Sequence, residues 1–245
     1  MSHRTKLLAV LASTLVSTPA LALDISFDYS LADSFFSAER RDAMERAALL
    51  YESYILDDLN VVVTMSSRYE QDRNYLAEAG PTAYYANFQN DWSGTMTFNE
   101  SYEWYSGTAD SFNGYDFFSV TLHELGHILG IGTVNTWDAL LTGDYFNGTY
   151  ASGVYGGPVP LADYAHWLPD AISTLPGTDT WQEPLLNPYA SYGTRMYLTA
   201  LDLAGLRDIG WDIPVVPEPE TLYMLLSGLG IVGLVARRQR TRAAA

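Results

Sequence analysis

The chain has 245 residues, no cysteine and a formal net charge of −16 at pH 7. This length is enough for one sizeable hydrophobic core and too short for several large domains. The absence of cysteine excludes disulfides and thiol chemistry, so any tightly bound zinc must be held by histidines and carboxylates. The acidic balance repels phosphate backbones and therefore excludes nucleic acid as a partner.

Residues 1–22 have the pattern of a secretory signal peptide. Two basic residues precede an apolar run over residues 7–16, and Pro19-Ala20-Leu21-Ala22 follows as a small-residue cleavage site. The apolar run is short for a membrane span, so the alternative to a signal peptide is a buried N-terminal helix. We predict an exported protein whose mature chain begins near Leu23.

The first part of the body predicts one helix and two strands. Ser37 caps an amphipathic helix that extends to Leu56, with apolar residues at helical spacing. Residues 59–67 form a β-branched run that is typical of a buried strand. Residues 94–99 alternate between apolar and polar side chains, which predicts a second, more exposed strand.

The second part predicts two helices separated by a long irregular region. The first runs through DFFSVTLHELGHILG and is capped by Asn113 or Asp116. Residues 131–194 are rich in Gly, Pro and Tyr and are predicted to be mostly loop, before a final helix in residues 198–211. This order predicts an α+β fold with a mixed α/β N-terminal lobe and a coil-rich C-terminal lobe ending in a helix. A cleft between the lobes would lie beside the HELGH helix.

The HELGH segment predicts a metal site. Histidines at positions i and i+4 project from one helix face, so that His123 and His127 can bind a single ion. Glu124 then points near the metal without binding it, where it can take a proton from water. The alternative, a helix with two surface histidines, is disfavoured by the apolar FFSVTL before the motif.

A catalytic zinc site needs a third protein ligand. Outside the signal peptide and the motif, the chain holds one further histidine, His166, in the loop-like segment VPLADYAHWLPD. We predict that His166 completes the site, although it could instead be a structural histidine packed beside Trp167. The competing ligands are carboxylates: Glu183 first, followed by Asp138, Asp144 and Asp163.

HELGHILGIGT resembles the H-E-x-x-H-x-x-G helix of the metzincin zinc proteases. Thr133 stands where the short metzincin spacing places the third histidine. The chain is therefore similar to the leishmanolysin-like branch and to certain exported bacterial metalloproteases, through HELGH…GT…W…VPL…HW…LNP…GTR…LTALDLAGLRDIGW over residues 94–212. The resemblance implies a zinc-dependent endopeptidase that acts on peptides or proteins, with Zn²⁺ on His123, His127 and His166 and with Glu124 as the general base.

The same resemblance implies further site residues. Metzincins place a methionine in a tight turn beneath the metal, and the matching turn, EPLLNP, has Leu186 at that position; Met196 is a weaker alternative. Tyr189 and Tyr192 follow and are candidates for stabilising the transition state, if they do not merely pack. The strand at residues 95–99 is expected to pair with an extended peptide substrate.

The C-terminal residues 215–245 resemble the PEP-CTERM sorting signal of Gram-negative bacteria. A Pro-Glu-Pro motif is followed by an apolar stretch, residues 222–236, and an arginine-rich tail. As a helix this stretch rises about 22 Å, less than the hydrocarbon thickness of about 30 Å. The resemblance implies transient inner-membrane anchoring, processing by an exosortase-type enzyme and release to the cell surface or matrix. An ordinary membrane anchor is the alternative.

Residues 23–214 are thus the predicted catalytic domain, and two rival functions stay open. A catalytically inactive surface or biofilm-matrix protein with the same fold is favoured by Thr133 and Leu186 and opposed by the intact Glu124. A protein that stores or senses zinc would not need that glutamate. The lack of cysteine excludes a cysteine-switch propeptide, whereas a short prosegment with Asp24 or Asp28 on the zinc is left open.

Overall fold

A computed structural model describes residues 23–31, 34–72, 74–82 and 92–214. The predicted signal peptide and sorting signal lie outside these residues. Within them, no helix is long and apolar enough to cross a membrane. The elements in chain order are β1 (Leu23–Asp28), α1 (Ala38–Glu52), β2 (Leu59–Arg68), β3 (Ala77–Pro81), β4 (Trp92–Asn99), β5 (Trp104–Tyr105), β6 (Tyr115–Asp116), α2 (Phe117–Ile128), α3 (Asn135–Asp138), β7 (Leu141–Thr142), β8 (Tyr145–Phe146), α4 (Thr149–Tyr155), β9 (Val159–Pro160), β10 (Ser173–Thr174), β11 (Trp181–Gln182) and α5 (Ala200–Ile209).

The N-terminal half contains a four-stranded sheet with the order β1-β2-β4-β3. Strands β1, β2 and β4 run parallel to one another, and β3 is antiparallel to β4. Alternate side chains of β2, including Val61, Val63 and Met65, are fully buried, as expected when one face of a strand packs on a core. The predicted strand at residues 59–67 is therefore confirmed.

The predicted strand at residues 94–99 is β4, but its predicted exposure is wrong. Both edges of β4 are occupied, by β2 and by β3, and Met96 and Phe98 are completely buried. A substrate cannot add to a strand whose two edges are already paired, so the expected pairing with residues 95–99 is also wrong. The sequence pattern does not predict β3, because AEAGP lacks the β-branched and aromatic residues typical of strands. This strand forms the sheet edge that packs against α2.

Helices α1 and α2 pack against each other, with α1 contacting β1 and α2 contacting β3. Ser37 caps α1 as predicted, by accepting a hydrogen bond from the Arg40 N–H. Asp116, rather than Asn113, caps α2. Every residue of α2 except His123 is buried, so the helix that carries the HELGH motif is held rigidly in the core.

Two tryptophan indoles fix the C-terminal end of α2. Trp92 Nε1 donates to the Ile128 carbonyl at 2.7 Å, and Trp211 Nε1 donates to the Leu129 carbonyl at 2.6 Å. These carbonyls have no partner within the helix, because the last turn has no following amides. One indole comes from the sheet and the other from the chain after α5, so both lobes hold the same helix end.

The C-terminal lobe is largely irregular, as predicted, with several short elements and α5. Its core is an aromatic cluster in which the Trp137 ring stacks on Phe146 at 4.3 Å and lies 5.0 Å from the Trp167 ring. The predicted final helix is α5, whose first turn has a capping box between Thr199 and Asp202. This helix packs against α4, which the sequence pattern does not predict.

Asp24 and Asp28 both lie in β1, which pairs with β2 along its length. This strand is at the edge of the sheet opposite β3, and therefore away from the HELGH helix. The hypothesis of a prosegment that places either carboxylate on the zinc is consequently wrong.

Candidate metal centre

The structure brings three histidines together. His127 Nε2 lies 3.0 Å from His123 Nε2 and 3.1 Å from His166 Nε2, although 39 residues separate His127 from His166. Among the described residues, these three form the group of histidine and acidic side chains arranged to hold one metal ion. The predicted convergence of His166 on the HELGH motif is confirmed, and Glu183, which is exposed, is not part of the group.

The opposite ring nitrogen of each histidine has an acceptor. Nδ1 of His123 donates to the Leu185 carbonyl at 2.9 Å, and Nδ1 of His127 donates to the Ile131 carbonyl at 2.8 Å. Nδ1 of His166 lies 2.9 and 3.0 Å from the two carboxylate oxygens of Asp163. Because these oxygens accept, the proton of each ring is on Nδ1 and the Nε2 lone pair faces the other two rings. Asp163, a competing ligand in the sequence analysis, instead orients His166.

This donor set fits zinc. Three lone pairs at these distances repel one another unless a cation lies among them, and imidazole nitrogen is a common zinc ligand. Zn–N bonds of about 2.0–2.1 Å in tetrahedral geometry separate ligand nitrogens by about 3.3 Å, close to the spacing of these Nε2 atoms. Burial, followed by the charge of neighbouring histidines, keeps the pKa of His123 well below its usual value and lowers that of His127 to about 4. Both rings are therefore neutral, as metal ligands must be, at neutral pH.

The chain after α2 turns sharply to reach the third histidine. Gly130 and Gly132 have positive φ angles, of 112° and 72°, which a residue with a side chain rarely adopts. Any side chain at Gly132 would also collide with Ala165, the residue before His166. Thr133, at the position of the missing third histidine, donates its hydroxyl to the His127 carbonyl at 2.6 Å. Because Gly132 has no side chain, the loop that carries His166 can pack closely against the backbone there.

The turn containing Leu185 and Leu186 lies against the histidine helix. Leu186 is fully buried, and a Cβ at Gly126 would lie 2.9 Å from its side chain. Leu186 therefore occupies the space beside the residue that precedes His127. The buried carboxylate of Asp202 accepts from the backbone N–H groups of both turn residues, at 3.0 and 3.2 Å. Sequence reasoning missed Asp202, since nothing in the helix pattern of α5 indicates where this carboxylate points.

Glu124 faces a cleft next to the histidines. The cleft has a volume of about 500 Å³ and is lined by β3 on one side and by residues 187–190 and Met196 on the other. Burial, and secondarily the charge of Glu78, raises the pKa of Glu124 to about 8 in the metal-free site. A desolvated carboxylate of this kind holds a proton strongly, which suits proton transfer.

The two candidate tyrosines have different positions. Tyr189 lines the cleft and is 71% exposed. Tyr192 is not among the described residues that line the cleft; its hydroxyl donates to Glu103 at 2.5 Å, and its ring packs edge-on against Tyr115. Met196 also lines the cleft, and its backbone N–H donates to Ser119 Oγ at 2.7 Å.

A matrixin family model matches residues 43–151. The matched range holds His123, Glu124 and His127 and ends before His166. Matrix metalloproteinase-25 of Mus musculus is 33% identical over 75 residues, which are 30% of this chain. The chain spans only 12% of the length of that relative. A PEP-CTERM protein-sorting motif matches residues 215–240, which marks an exported protein that is sorted to the cell surface.

These matches agree with the geometry of the site. Residues 43–151 are thus similar to the matrixin zinc metallopeptidases, and His123, His127 and His166 form a group that could hold one metal ion. The α+β arrangement of a sheet and helices is consistent with that family. The similarity to the leishmanolysin-like branch, which concerns the spacing of the third histidine, stays a prediction.

Proposed function

We propose that this protein is an exported zinc-dependent endopeptidase whose site consists of His123, His127, His166 and Glu124. The observation that carries the proposal is the convergence of three Nε2 lone pairs beside a buried glutamate in an open cleft. Zinc held there supplies a Lewis acid that lowers the pKa of water and polarises the scissile carbonyl. His166 lies 39 residues after His127. This long interval supports the leishmanolysin-like spacing between the HELGH motif and the third histidine.

Glu124 acts as the proton carrier in this proposal. Its carboxylate takes a proton from the attacking water and then donates it to the nitrogen of the departing amine. Burial favours this role, because a carboxylate that has lost its hydration is a stronger base. His123 and His127, whose pKa values are lowered by burial, are neutral and do not compete for the proton at neutral pH.

The substrate is an extended peptide or protein segment that binds in the cleft beside β3. An edge strand presents unpaired backbone groups, so it can accept one more strand by hydrogen bonding. Tyr189, on the opposite wall, is the better placed tyrosine for donating a hydrogen bond to the developing oxyanion. Leu186 takes the place of the turn methionine, since leucine and methionine have similar volumes and exchange at small cost.

The ends of the chain are assigned to export. Residues 1–22 serve as signal peptide, residues 23–214 as catalytic domain and residues 215–245 as sorting signal. The match to the sorting motif supports processing by an exosortase-type enzyme and transient inner-membrane anchoring through residues 222–236, in a Gram-negative bacterium. The alternative function is an inactive surface or matrix protein with the same fold, and the retained Glu124 opposes it.

The test combines metal analysis with peptide hydrolysis. Purified protein should bind one zinc and cleave casein or a peptide library. Glu124→Gln should keep the zinc and lose about 10²–10⁴-fold in rate, the usual contribution of a general base. Glu183→Gln, an exposed residue outside the metal group, is the matched control and should keep full activity. A wild-type protein that binds zinc but cleaves nothing would favour the inactive matrix protein instead.

A further inference from the structure

One wall of the cleft has no regular structure of its own. Residues 187–196 contain neither helix nor strand, yet Pro188, Tyr189 and Met196 in this segment line the cleft. An irregular segment keeps a defined position only if its backbone and side chains are bonded to rigid neighbours. The contacts of this segment therefore decide where the wall stands relative to Glu124.

The wall segment is bonded to the residues that lead into α2. Tyr192 donates to Glu103, and the Gly193 N–H donates to the Gly114 carbonyl at 2.9 Å. Further along, the Met196 N–H donates to Ser119 Oγ at 2.7 Å. Through Ser119 the wall reaches the first turn of the helix that carries the histidines.

The strongest of these contacts is an ion pair between Arg195 and Asp116. Arg195 Nε and a terminal guanidinium nitrogen bond to the two oxygens of Asp116, at 2.9 and 2.8 Å. The same guanidinium donates to the Gly107 carbonyl at 2.7 Å. The Asp116 side chain is fully buried and that of Arg195 is 13% exposed. A bidentate pair of this kind fixes direction as well as distance.

Asp116 serves α2 at the same time. Its carboxylate caps the helix by accepting from the Ser119 N–H at 3.2 Å and from Ser119 Oγ at 2.6 Å. Ser119 in turn lies one helical turn before His123, and both line the cleft. The wall and the metal-binding helix therefore share a single buried carboxylate.

We infer that Arg195 is a positioning residue for substrate: through Asp116 it holds the 187–196 wall in register with the helix that carries His123 and Glu124. It touches neither the metal group nor the substrate cleft directly. The inference rests on the proposed peptidase function, because the wall matters only if a peptide binds between it and β3. A role confined to stability is the competing explanation.

The first test compares Arg195→Gln with a matched control, Arg207→Gln. Arg207 lies in α5, where its guanidinium stacks on Tyr150 at 3.9 Å, outside the cleft. In zinc-loaded protein well below the melting temperature, Arg195→Gln should lower kcat/KM at least about tenfold, since small misplacements cost large factors. We expect KM to rise and the zinc content to stay at one per molecule. Unchanged KM and kcat in folded, zinc-loaded Arg195→Gln would overturn the inference.

A double variant separates positioning from stability. Arg195→Gln alone leaves the Asp116 carboxylate buried without its partner, which destabilises the fold. Asp116→Asn combined with Arg195→Gln removes both charges and should recover part of the lost melting temperature. If the pair positions the wall, KM stays raised in the double variant. Recovery of KM together with stability would mean that the pair only stabilises.

Hydrogen exchange gives a readout that needs no activity. Amides of residues 189–196 should exchange at least about tenfold faster in Arg195→Gln than in wild type, because local opening becomes easier. The same amides should be unaffected in Arg207→Gln. Failure of wild type to cleave any peptide would count against the proposed function alone, whereas unchanged exchange in residues 189–196 would count against the bracing by Arg195.

Discussion

The indole Nε1 of Trp167 donates a hydrogen bond to the Asp202 carboxylate at 3.1 Å, joining α5 to the residue next to the third histidine. The same carboxylate accepts from the Leu185 N–H at 3.0 Å, and the Leu185 carbonyl accepts from His123 Nδ1 at 2.9 Å. One buried side chain thus supports the surroundings of two of the three histidines without touching either ring.

Asp202→Asn should therefore weaken zinc binding as well as stability. The amide keeps the shape of the carboxylate but turns an NH₂ group toward N–H donors that need an acceptor. We expect zinc affinity to fall about 10–100-fold, the range found for residues that support metal ligands. Competition with a chelator measures this. Asp208→Asn is the control: Asp208, also in α5, accepts from the Tyr150 and Ala151 amides, and its loss should leave zinc affinity unchanged.

Removal of His166 should affect the metal more than any change of a carboxylate. His166→Ala leaves two protein ligands, so its zinc affinity should fall by more than the factor of about 10–100 typical of supporting residues. Asp163→Asn removes only the partner of His166 Nδ1 and should fall within that range. Glu183→Ala should bind zinc like wild type. Equal zinc affinity for His166→Ala and Glu183→Ala would refute the three-histidine assignment.

The pH dependence of stability in the metal-free protein should reveal Glu124. Its pKa is raised from 4.5 to about 8 in the folded state. The folded carboxyl therefore keeps a proton that the unfolded one has lost, and its stabilising contribution declines as pH rises toward 8. His123 and His127, whose pKa values are lowered in the folded state, titrate in the same way in wild type and in Glu124→Gln, so their contribution cancels when the two proteins are compared.

Glu124→Gln isolates this contribution, because glutamine does not titrate. Between pH 6.5 and 8, the free energy of unfolding of wild type should fall relative to that of Glu124→Gln by about 2 kcal/mol. Urea titrations at several pH values, with chelator present, measure the difference. A constant difference across this interval would contradict a raised pKa for Glu124.

The C-terminal boundary of the domain can be located by truncation. Trp211 and Ile213 are buried, and the Trp211 indole bonds to the end of α2. A protein that ends at residue 214 should therefore stay soluble and bind zinc. A protein that ends at residue 210 should lose about 3–5 kcal/mol, the cost of deleting a buried tryptophan side chain. Thermal melts of both forms test this, and zinc loss in the longer form would place the boundary elsewhere.

Local patterns in the sequence were sufficient to predict several helices and strands. Ser37 and Asp116 each precede a segment with apolar residues at helical spacing. Their short polar side chains cap the helix by accepting hydrogen bonds from backbone N–H groups of its first turn. The spacing of His123 and His127 places both rings on one helix face whatever surrounds the helix. The edge strand β3 and the helix α4 escaped prediction, since their residues have weak propensities and their formation depends on neighbours.

By itself, the sequence determined the chemistry of the site. With no cysteine and one histidine beyond the signal peptide and the HELGH motif, His166 was the first candidate for the third ligand, ahead of Glu183 and three aspartates. Only the tertiary structure decided how these groups are held: that Asp163 orients His166, that Asp202 supports the Leu185 turn, and that Arg195 braces the cleft wall through Asp116. The physical reason is that ligand type is a property of a residue, whereas a hydrogen bond between residues 79 positions apart exists only after the chain has packed.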